Sequence, residues 1–286
     1  MDSELIITKA SGEAAKFSES KLRSSLQHSG ATNEQIDNVV KEISKKLYPG
    51  ISTKKIYKMA YGLLQGSARP LAAKYRLKAA IMELGPSGFP FEKYFGEILR
   101  HQGYGVKVGE IVQGQCVQHE VDVVAIVDHL QLMIECKYHN SPGTICDVKI
   151  PLYIHSRFKD IEAQWLKFSK NKAISYQGWV VTNTRFSDDA IQYGTCAGLK
   201  LIGWNYPAKG SLKDMIDTLG LYPITCLTSL TGHEKTILLE KKIVLCLELN
   251  NNKHLLEEAR VSPARIEAVM EEARLLCAHL NGIDKS

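Results

Sequence analysis

Residues 120–137 read Glu-Val-Asp-Val-Val-Ala-Ile-Val-Asp-His-Leu-Gln-Leu-Met-Ile-Glu-Cys-Lys, and this stretch decides the fold of the chain. Two runs within it, 121–127 and 130–136, are rich in branched apolar residues. Such residues favour β-strands, and the two residues between the runs, Asp128 and His129, have the length of the tightest hairpin loop. The sequence therefore predicts an antiparallel β-hairpin with a two-residue turn.

The register of this hairpin makes a geometric prediction about its charged residues. Opposed residues of an antiparallel pair have numbers with a constant sum, so pairing of Val127 with Leu130 sets Asp122 opposite Glu135. Their Cβ atoms would be about 4.5–5.5 Å apart. Two carboxylates at that distance repel each other unless a proton or a cation lies between them. Lys137 follows Glu135 by two residues and is expected to project from the same face.

The opposite face of the hairpin is predicted to be purely apolar. Side chains alternate between the two faces of a strand, so this face takes every second residue of both runs. Its members are Val121, Val123, Ala125, Val127, Leu130, Leu132, Ile134 and Cys136. One face is therefore expected to be core, whereas the other has Asp, Glu and Lys side chains at one end.

Two close carboxylates beside a lysine are suited to phosphodiester hydrolysis. The carboxylates form a hard-oxygen site that suits Mg²⁺ held partly by water and by substrate phosphate. A lysine beside such a metal can orient or deprotonate the attacking water and offset negative charge in the transition state. Asp122 followed by Glu135-Cys136-Lys137 resembles the PD-(D/E)xK nuclease signature, in the form found in Mrr-like restriction endonucleases. The alternative is a hairpin with ordinary polar residues near its end.

The composition indicates a soluble globular protein of two or three domains. Of the 286 residues, 44% are hydrophobic and 23% are charged, and the formal net charge of +5 is compatible with nucleic acid without establishing it. No apolar run has the roughly 18–20 residues of a membrane span, and the acidic start at 1–4 is unlike an export signal. Seven scattered cysteines without a CxxC pair predict reduced thiols, a cytoplasmic location and no zinc site.

Residues 1–88 are predicted to form a hairpin turning at 11–12, followed by four helices. Ser18 is expected to cap the first helix, Thr32 opens the second, Ser52 or Thr53 caps the third, and the fourth spans 70–84. This order resembles the ATP-cone, the regulatory nucleotide-binding domain of ribonucleotide reductases. The matching segments are Ile7-Thr8-Lys9-x-x-Gly12, Lys16-Phe17-x-x-x-Lys21-Leu22 and Gly50-Ile51-Ser52-Thr53.

The ATP-cone resemblance implies a site for a purine nucleoside triphosphate, ATP or dATP. The residues implied to contact it are Lys9, Ala15, Lys16, Phe17, Ser18, Glu19, Ser20, Lys21 and Thr53. Lysines and a helix N-terminus are physically suitable partners for an anion. The chain departs from the family at Ala10, where an arginine is usual, so the resemblance leaves nucleotide binding open. The alternative is a small helical adaptor with surface lysines.

Residues 89–207 extend the Mrr-like resemblance over about 115 residues. The pattern predicts a helix from Pro90, a strand at 106–112, a helix at 152–168, a buried strand at 179–183, a helix at 188–196 and a last strand within 198–204. The resemblance implies that Glu92, on the first of these helices, helps to hold the metal; the alternative is an exposed helix acid. Arg157, Lys159, Lys167, Lys170 and Lys172 could follow a DNA backbone or form a solvated helix face.

Residues 208–286 are predicted to be a small helical C-terminal domain, joined through Lys209-Gly210-Ser211. Its segments 238–243 and 259–262 lie where helix-hairpin-helix modules, which bind DNA backbone, place their turns. The usual glycines are missing there, so a plain helical bundle is the alternative. The whole chain is thus expected to be a multidomain α+β and α/β protein: an ATP-cone at 1–88, a PD-(D/E)xK sheet flanked by helices at 89–207, and helices at 208–286.

The resemblances together imply an ATP-cone-regulated, Mg²⁺-dependent DNA endonuclease, a restriction endonuclease-like deoxyribonuclease that leaves 5′-phosphate and 3′-hydroxyl ends. Glu92, Asp122 and Glu135 would hold one or two Mg²⁺ ions, and Lys137 would serve the attacking water. The alternative is a nucleic-acid or nucleotide sensor that keeps the nuclease fold without cleaving. A regulator working only through its cone would leave 89–207 unexplained. The target DNA sequence, the direction of any ATP effect and homo-oligomer formation stay open.

Overall fold

The computed structural model describes residues 5–9, 12–67, 69–141, 143–168 and 174–277. In these residues the chain forms an N-terminal hairpin with helices, a central five-stranded mixed sheet with helices on both faces, and a C-terminal helical region. No helix in the described part is both long and apolar enough to cross a membrane.

The N-terminal elements follow the predicted order. They are the antiparallel strands β1 (Ile6–Thr8) and β2 (Ala14–Lys16), and the helices α1 (Glu19–His28), α2 (Asn33–Ser44) and α3 (Thr53–Ser67). The hydroxyls of Ser18 and Thr32 cap α1 and α2 as predicted, and the Ser52 hydroxyl accepts from the Lys55 amide at the start of α3. The hairpin turn and Ala10 lie outside the described residues.

The prediction of one helix over 70–84 is wrong, because two helices stand there, α4 (Arg69–Tyr75) and α5 (Leu77–Ile81). The interruption falls at Arg76, just after α4, a helix that contributes to two apolar cores. Ala72 packs with the N-terminal hairpin and helices, whereas Leu77 packs in the core beneath the central sheet.

The central region is built on five hydrogen-bonded strands in the order β3-β4-β5-β7-β9, with two short strands, β6 and β8, paired beside them. The strands β3 to β5 are antiparallel, and β5, β7 and β9 run parallel. The elements are α6 (Phe89–His101), β3 (Gly105–Gln113), β4 (Gln118–Val127), β5 (Leu130–Lys137), β6 (Ile145–Cys146), α7 (Lys149–Phe168), β7 (Ser175–Thr182), β8 (Arg185–Phe186), α8 (Asp188–Cys196) and β9 (Lys200–Ile202).

The predicted register of the central hairpin is confirmed. Val127 pairs with Leu130, and the pairs continue in step to Val123 with Ile134. Asp122 and Glu135 are the next positions along the two strands. They stand one step beyond the last regular pair, where β4 and β5 begin to separate.

The predicted apolar face is confirmed for Val123, Ala125, Leu132, Ile134 and Cys136, which pack in the main core, but the other face of the hairpin is buried as well. Val124 and Met133 pack in a second core, against α7 and α8. The reason is the parallel pairing of β5 with β7, since crossover helices cover both faces of a parallel sheet. Val121 also belongs to this second core, away from Val123, because the regular pairing of β4 with β5 has ended there.

The C-terminal region is helical, as predicted. Its elements are α9 (Leu212–Leu219), α10 (Gly232–Glu240), α11 (Lys253–Glu258), α12 (Pro263–Leu276) and two short 3-10 helices (Ile224–Cys226 and Cys246–Leu249). The first predicted helix-hairpin-helix turn, 238–243, begins inside α10. The connection from α10 to α11 also contains a 3-10 helix, so it is not a short hairpin.

The main apolar core is continuous from α5 to α12, across both predicted domain boundaries. Two buried hydroxyls support these junctions: Thr225 donates to the Ala80 carbonyl (2.7 Å) and Tyr94 donates to the Leu221 carbonyl (2.7 Å). The C-terminal helices are therefore packed directly against the helices beneath the sheet.

Candidate active site at the end of the central hairpin

Asp122 lies half-buried where β4 leaves its regular pairing with β5. Its Oδ2 accepts a hydrogen bond from the Cys136 amide at 2.7 Å, so the carboxylate pairs with a backbone N–H group of β5. Burial, followed by the nearby charge of Glu135, raises the pKa of Asp122 to about 6. A carboxylate with a raised pKa is one that a cation would stabilise.

Glu135 is buried, with only 5% of its surface exposed, and both of its oxygens are occupied. Oε1 accepts from Nζ of Lys137 at 2.5 Å, and Oε2 accepts from Nη1 of Arg157 at 2.7 Å. The charge of Glu135 is thus compensated by two cations within the protein.

Arg157 is the residue of this site that the sequence interpretation misassigned. It was expected to point along a DNA backbone or into solvent, but its side chain is only 12% exposed, and it also donates to the Glu120 carbonyl. A signal was present in the helix pattern, because Arg157 has the spacing of the buried stripe of α7. The buried apolar residues of that stripe are Ile154, Phe158 and Ile161. The side chain of Glu120 is itself exposed.

Lys137 shares the face of Glu135, as predicted, and keeps part of its side chain accessible (31%). Burial lowers the pKa of Lys137, but the hydrogen bond and the charge of Glu135 outweigh this effect and raise the pKa overall. Lys137 is therefore protonated at neutral pH. In this state it can orient a water molecule or stabilise negative charge, and it cannot accept a proton.

Glu92 reaches the same region from the first turn of α6. Burial, and then the charges of Asp122 and Glu135, raise the pKa of Glu92 to about 7. The negative charge of Glu92 is therefore repelled by the two hairpin carboxylates. All three predicted metal ligands are close enough to influence one another's charge.

The fit of these side chains to a divalent cation is partial. In the described part of the chain, no group of three His, Cys, Asp or Glu side chains is arranged to hold a metal ion. The reason lies in Glu135, whose oxygens are engaged by Lys137 and Arg157. Asp122 and Glu92 have the right chemistry, since they are hard-oxygen donors whose pKa values are raised by burial and by neighbouring carboxylates, and a bound cation would stabilise their charged forms.

The loop after Lys137 is held firmly. The amide and the carbonyl of His139 both bond to the side chain of Asn183, which is fully buried. His139 is half-buried, with Nε2 3.2 Å from the Cys146 sulfur. Tyr138 donates to the Met82 carbonyl at 2.6 Å, which connects the loop to the segment after α5.

A second polar cluster fixes α7 at the outer end of the sheet. Asp160, one turn beyond Arg157, accepts from the amides of Cys116 and Val117 and contacts His119 Nε2 at 2.8 Å. These bonds hold the pKa of Asp160 well below its usual range, with the His119 contact as the main cause. The cluster therefore ties the β3–β4 turn to the helix that positions Arg157.

The N-terminal region encloses a separate cavity of about 270 Å³. The implied nucleotide-contacting residues that line it are Lys9, Ala15, Lys16, Phe17, Ser18, Lys21 and Thr53. Glu19 and Ser20 do not line it: Glu19 pairs with Arg23, and the Ser20 hydroxyl contacts Ser18.

Comparisons with known proteins find relatives over most of the chain. A family model described as "AF1548-like, C-terminal" matches residues 222–277. A protein of Archaeoglobus fulgidus, described as uncharacterized, is 35% identical over 178 residues, which are 62% of this chain and 96% of the relative. The crystal structure of a protein of unknown function, AF1548, covers 68% of this chain and 100% of its own, with 32% identity and a TM-score of 0.55.

A further solved structure is more distant. The MspJI restriction endonuclease in complex with a 27-mer oligonucleotide is 14% identical, with 69% of this chain and 39% of that chain covered. The TM-score is 0.30, and at that value the likeness decides neither the fold nor the activity of the chain.

Proposed function

This chain belongs to the AF1548-like family, and we propose that it is a divalent-metal-dependent nuclease that hydrolyses phosphodiester bonds in DNA. The proposal rests on one observation, which is the assembly of Asp122, Glu135 and Lys137 where β4 and β5 separate. Both strands contribute buried residues to the apolar cores on the two faces of the sheet, so the side chains are held by packed elements. The proposal includes two assignments made from the sequence. Residues 89–207 are proposed to be Mrr-like, and residues 1–88 are proposed to be an ATP-cone.

In the proposed reaction, the protein positions a scissile phosphate at the hairpin end. The protonated Lys137 attracts the phosphate and stabilises the charge that develops on it. Asp122 and Glu92 would hold Mg²⁺, and Glu135 would join them after one of its oxygens leaves Lys137 or Arg157. The metal, when bound, supplies a polarising charge for the phosphate and a more acidic bound water.

The alternative of a non-cleaving sensor has one observation in its favour. Glu135 is satisfied by Lys137 and Arg157, so its charge needs no metal in this arrangement. In a sensor this network would be purely structural. The two proposals differ in one measurable respect: only the nuclease depends on Asp122 and Lys137 for breaking DNA.

The test is cleavage of supercoiled plasmid DNA, methylated and unmethylated, in Mg²⁺ and in Mn²⁺. The wild-type chain is expected to nick or linearise the plasmid, and EDTA should abolish this activity. Asp122→Ala and Lys137→Ala should each lower the rate at least about 100-fold, since each removes a group that acts on the transition state. Lys107→Ala, an exposed lysine on β3, serves as the matched control and should cleave normally.

Two results would contradict the nuclease proposal. One is an intact plasmid under all metal and methylation conditions, and the other is cleavage that persists in both active-site variants. Retained binding of DNA by a chain that does not cleave would favour the sensor.

For the N-terminal cavity we propose binding of ATP or dATP. The supporting observation is that its 270 Å³ volume is lined by Lys9, Lys21 and Thr53 together with the Ala15–Ser18 segment. Calorimetric titration with ATP should show binding that Lys9→Gln weakens, and repeating the plasmid assay with ATP would show whether the nucleotide changes cleavage. Unchanged ATP affinity in Lys9→Gln would contradict this assignment.

A further inference from the structure

A larger cavity, of about 350 Å³, lies where three parts of the chain meet. The first part is α1 with α4 and α5, the second is the segment after β9, and the third is α9. We name it the junction cavity, and its defining residues are Lys21, Lys74, Lys78, Trp204, Lys213 and Asp217. It lies away from Asp122 and Lys137, which do not line it.

The charge of the junction cavity is unbalanced. Four lysines face it, Lys21, Lys74, Lys78 and Lys213, against the single carboxylate of Asp217. Within the described residues none of these four lysines forms an ion pair with a carboxylate. Like charges gathered in a concave site repel one another until an anion binds.

Aromatic side chains form the apolar part of the wall. Tyr57 and Tyr75 stack with ring centroids 5.1 Å apart, and Trp204 lies beneath Lys78, whose Nζ is 5.8 Å from the indole ring. Flat aromatic walls beside cations suit a ligand that has both a planar base and phosphate groups.

One buried polar atom in this wall lacks a partner. Among the described residues, the Tyr57 hydroxyl is buried without any hydrogen bond. Tyr57 lines both the junction cavity and the N-terminal cavity, as do Lys21 and Tyr75. An unpaired buried hydroxyl is destabilising, so this part of the wall is not optimised for packing alone.

We propose that the junction cavity binds a nucleotide through its phosphate groups, as a ligand site separate from the N-terminal cavity and from the hairpin end. Its volume is within the range of about 300–1,000 Å³ that is common for small-molecule sites. It is enclosed by three parts of the chain, which suits a compact ligand better than an extended nucleic acid. A nucleotide held there contacts the N-terminal helices, the segment after β9 and α9 together.

The junction cavity also adjoins a second, smaller cavity. Lys78, Trp204 and Asn205 line a neighbouring cavity of about 220 Å³ that reaches Thr184 and Arg185. A ligand in the junction cavity therefore lies next to the loop that follows β7, the strand paired with β5.

The test is calorimetric titration of the full chain with ATP and dATP, with tripolyphosphate as a base-free probe and a short DNA duplex as a polymeric one. Lys74→Gln/Lys78→Gln should remove one ATP-binding event or weaken it at least tenfold, whereas Lys9→Gln should leave that event intact. Lys41→Gln/Lys46→Gln makes the same charge change on exposed positions at α2 and should bind ATP normally. Tripolyphosphate should bind more weakly than ATP, because it lacks the base.

Two further variants guard against misfolding as an explanation. Lys78→Gln changes an exposed side chain and should weaken ATP binding alone. Tyr57→Phe removes the unpaired hydroxyl and keeps the aromatic ring, so the thermal stability of the free protein should be equal or higher.

Unchanged affinity and stoichiometry for ATP in Lys74→Gln/Lys78→Gln and in Lys78→Gln would overturn the proposal. A fall in DNA-duplex affinity with unchanged ATP binding would also overturn it, because the lysines would then serve nucleic acid. Neither readout depends on cleavage, so the junction site and the nuclease proposal can fail independently.

Discussion

At the scale of single residues, Glu135 shows how the protein treats a buried charge. A buried carboxylate is tolerated only when it is paired, and Glu135 has a partner on each oxygen, Lys137 and Arg157. Asp122 has one backbone donor and no cation within hydrogen-bond reach among the described residues, and its pKa is raised. The difference between these two acids makes Asp122 the more receptive ligand for an added cation.

The Arg157–Glu135 pair leads to a stability prediction. Arg157→Gln should lower the free energy of unfolding by about 3 kcal/mol, because removing one partner of a buried pair leaves a poorly compensated charge. Urea denaturation measures this change. The control is Lys159→Gln on the same helix, which breaks an exposed pair with Glu162 and should change stability by less than about 0.5 kcal/mol. Equal effects of the two variants would show that Glu135 is not held by Arg157.

The raised pKa of Glu92 predicts a pH dependence of stability. Folding raises the pKa from 4.5 to about 7, so the folded state binds the proton more tightly than the unfolded state. The free energy of unfolding should therefore fall as pH rises from about 4.5 to about 7 and level off above that. Glu92→Gln should remove much of this slope in urea titrations performed in EDTA.

The control for this prediction is Glu267→Gln, an exposed acid on α12. It should keep the wild-type slope between these pH values. A Glu92→Gln variant whose stability falls with pH as steeply as that of the wild type would refute the assignment.

At the scale of elements, α7 connects the outer end of the sheet to the candidate site. Asp160 fastens one turn of the helix to the β3–β4 loop, and the preceding turn presents Arg157 to Glu135. The loop fits closely against the helix at Gly114, where an added Cβ would lie 2.1 Å from the Asp160 carboxylate.

This close approach predicts that Gly114→Ala is destabilising. The extra methyl group cannot be accommodated without moving α7 away from the loop, so the midpoint of thermal unfolding should fall clearly below that of the wild type. Gly143→Ala is the matched control, because no atom lies within 4 Å of its added Cβ. Circular dichroism melting curves of the two variants test the prediction, which fails if Gly114→Ala melts with the wild type.

At the scale of the whole molecule, the N-terminal elements have a small apolar core of their own. It adjoins the large core that continues to α12. The N-terminal core ends at Ala72, while α5 contributes Leu77, Ala80 and Ile81 to the large core that continues to α12. The change from one core to the other therefore falls inside α4, between Ala72 and Ala73, and the predicted boundary at residue 88 lies within the part of the chain that forms the large core.

A pair of truncations tests where the independent unit begins. The fragment 69–286 should fold and unfold cooperatively, because it keeps α5 and the large core. The fragment 89–286 loses four buried apolar residues of the segment 77–84, together with the bonds of Ala80 to Thr225 and Met82 to Tyr138. Burial of one Leu or Ile side chain contributes about 1.5–3 kcal/mol, so this fragment should be unstable in urea titrations. Equal stability of the two fragments would contradict the prediction.

The sequence alone determined the local elements and the register of the central hairpin. Alternation of apolar residues, a two-residue turn and helix caps are local signals, since they depend on neighbours a few positions away. For the same reason the helix Asp188–Cys196 and its Ser187 cap were predictable to the residue. The assignments of metal, nucleotide and DNA to this chain stay predictions.

Only the tertiary structure decided how the charges are compensated and which faces are covered. The contact of Arg157 with Glu135 joins positions 22 residues apart, and Asp160 reaches the β3–β4 loop across more than 40. Such contacts depend on how helices cross the sheet, which local patterns do not specify. The junction cavity has the same origin, because its lysines converge from the N-terminal helices and from α9, which are far apart in the sequence. Their spacing along the sequence therefore gives no sign of a shared site, whereas packing brings them together.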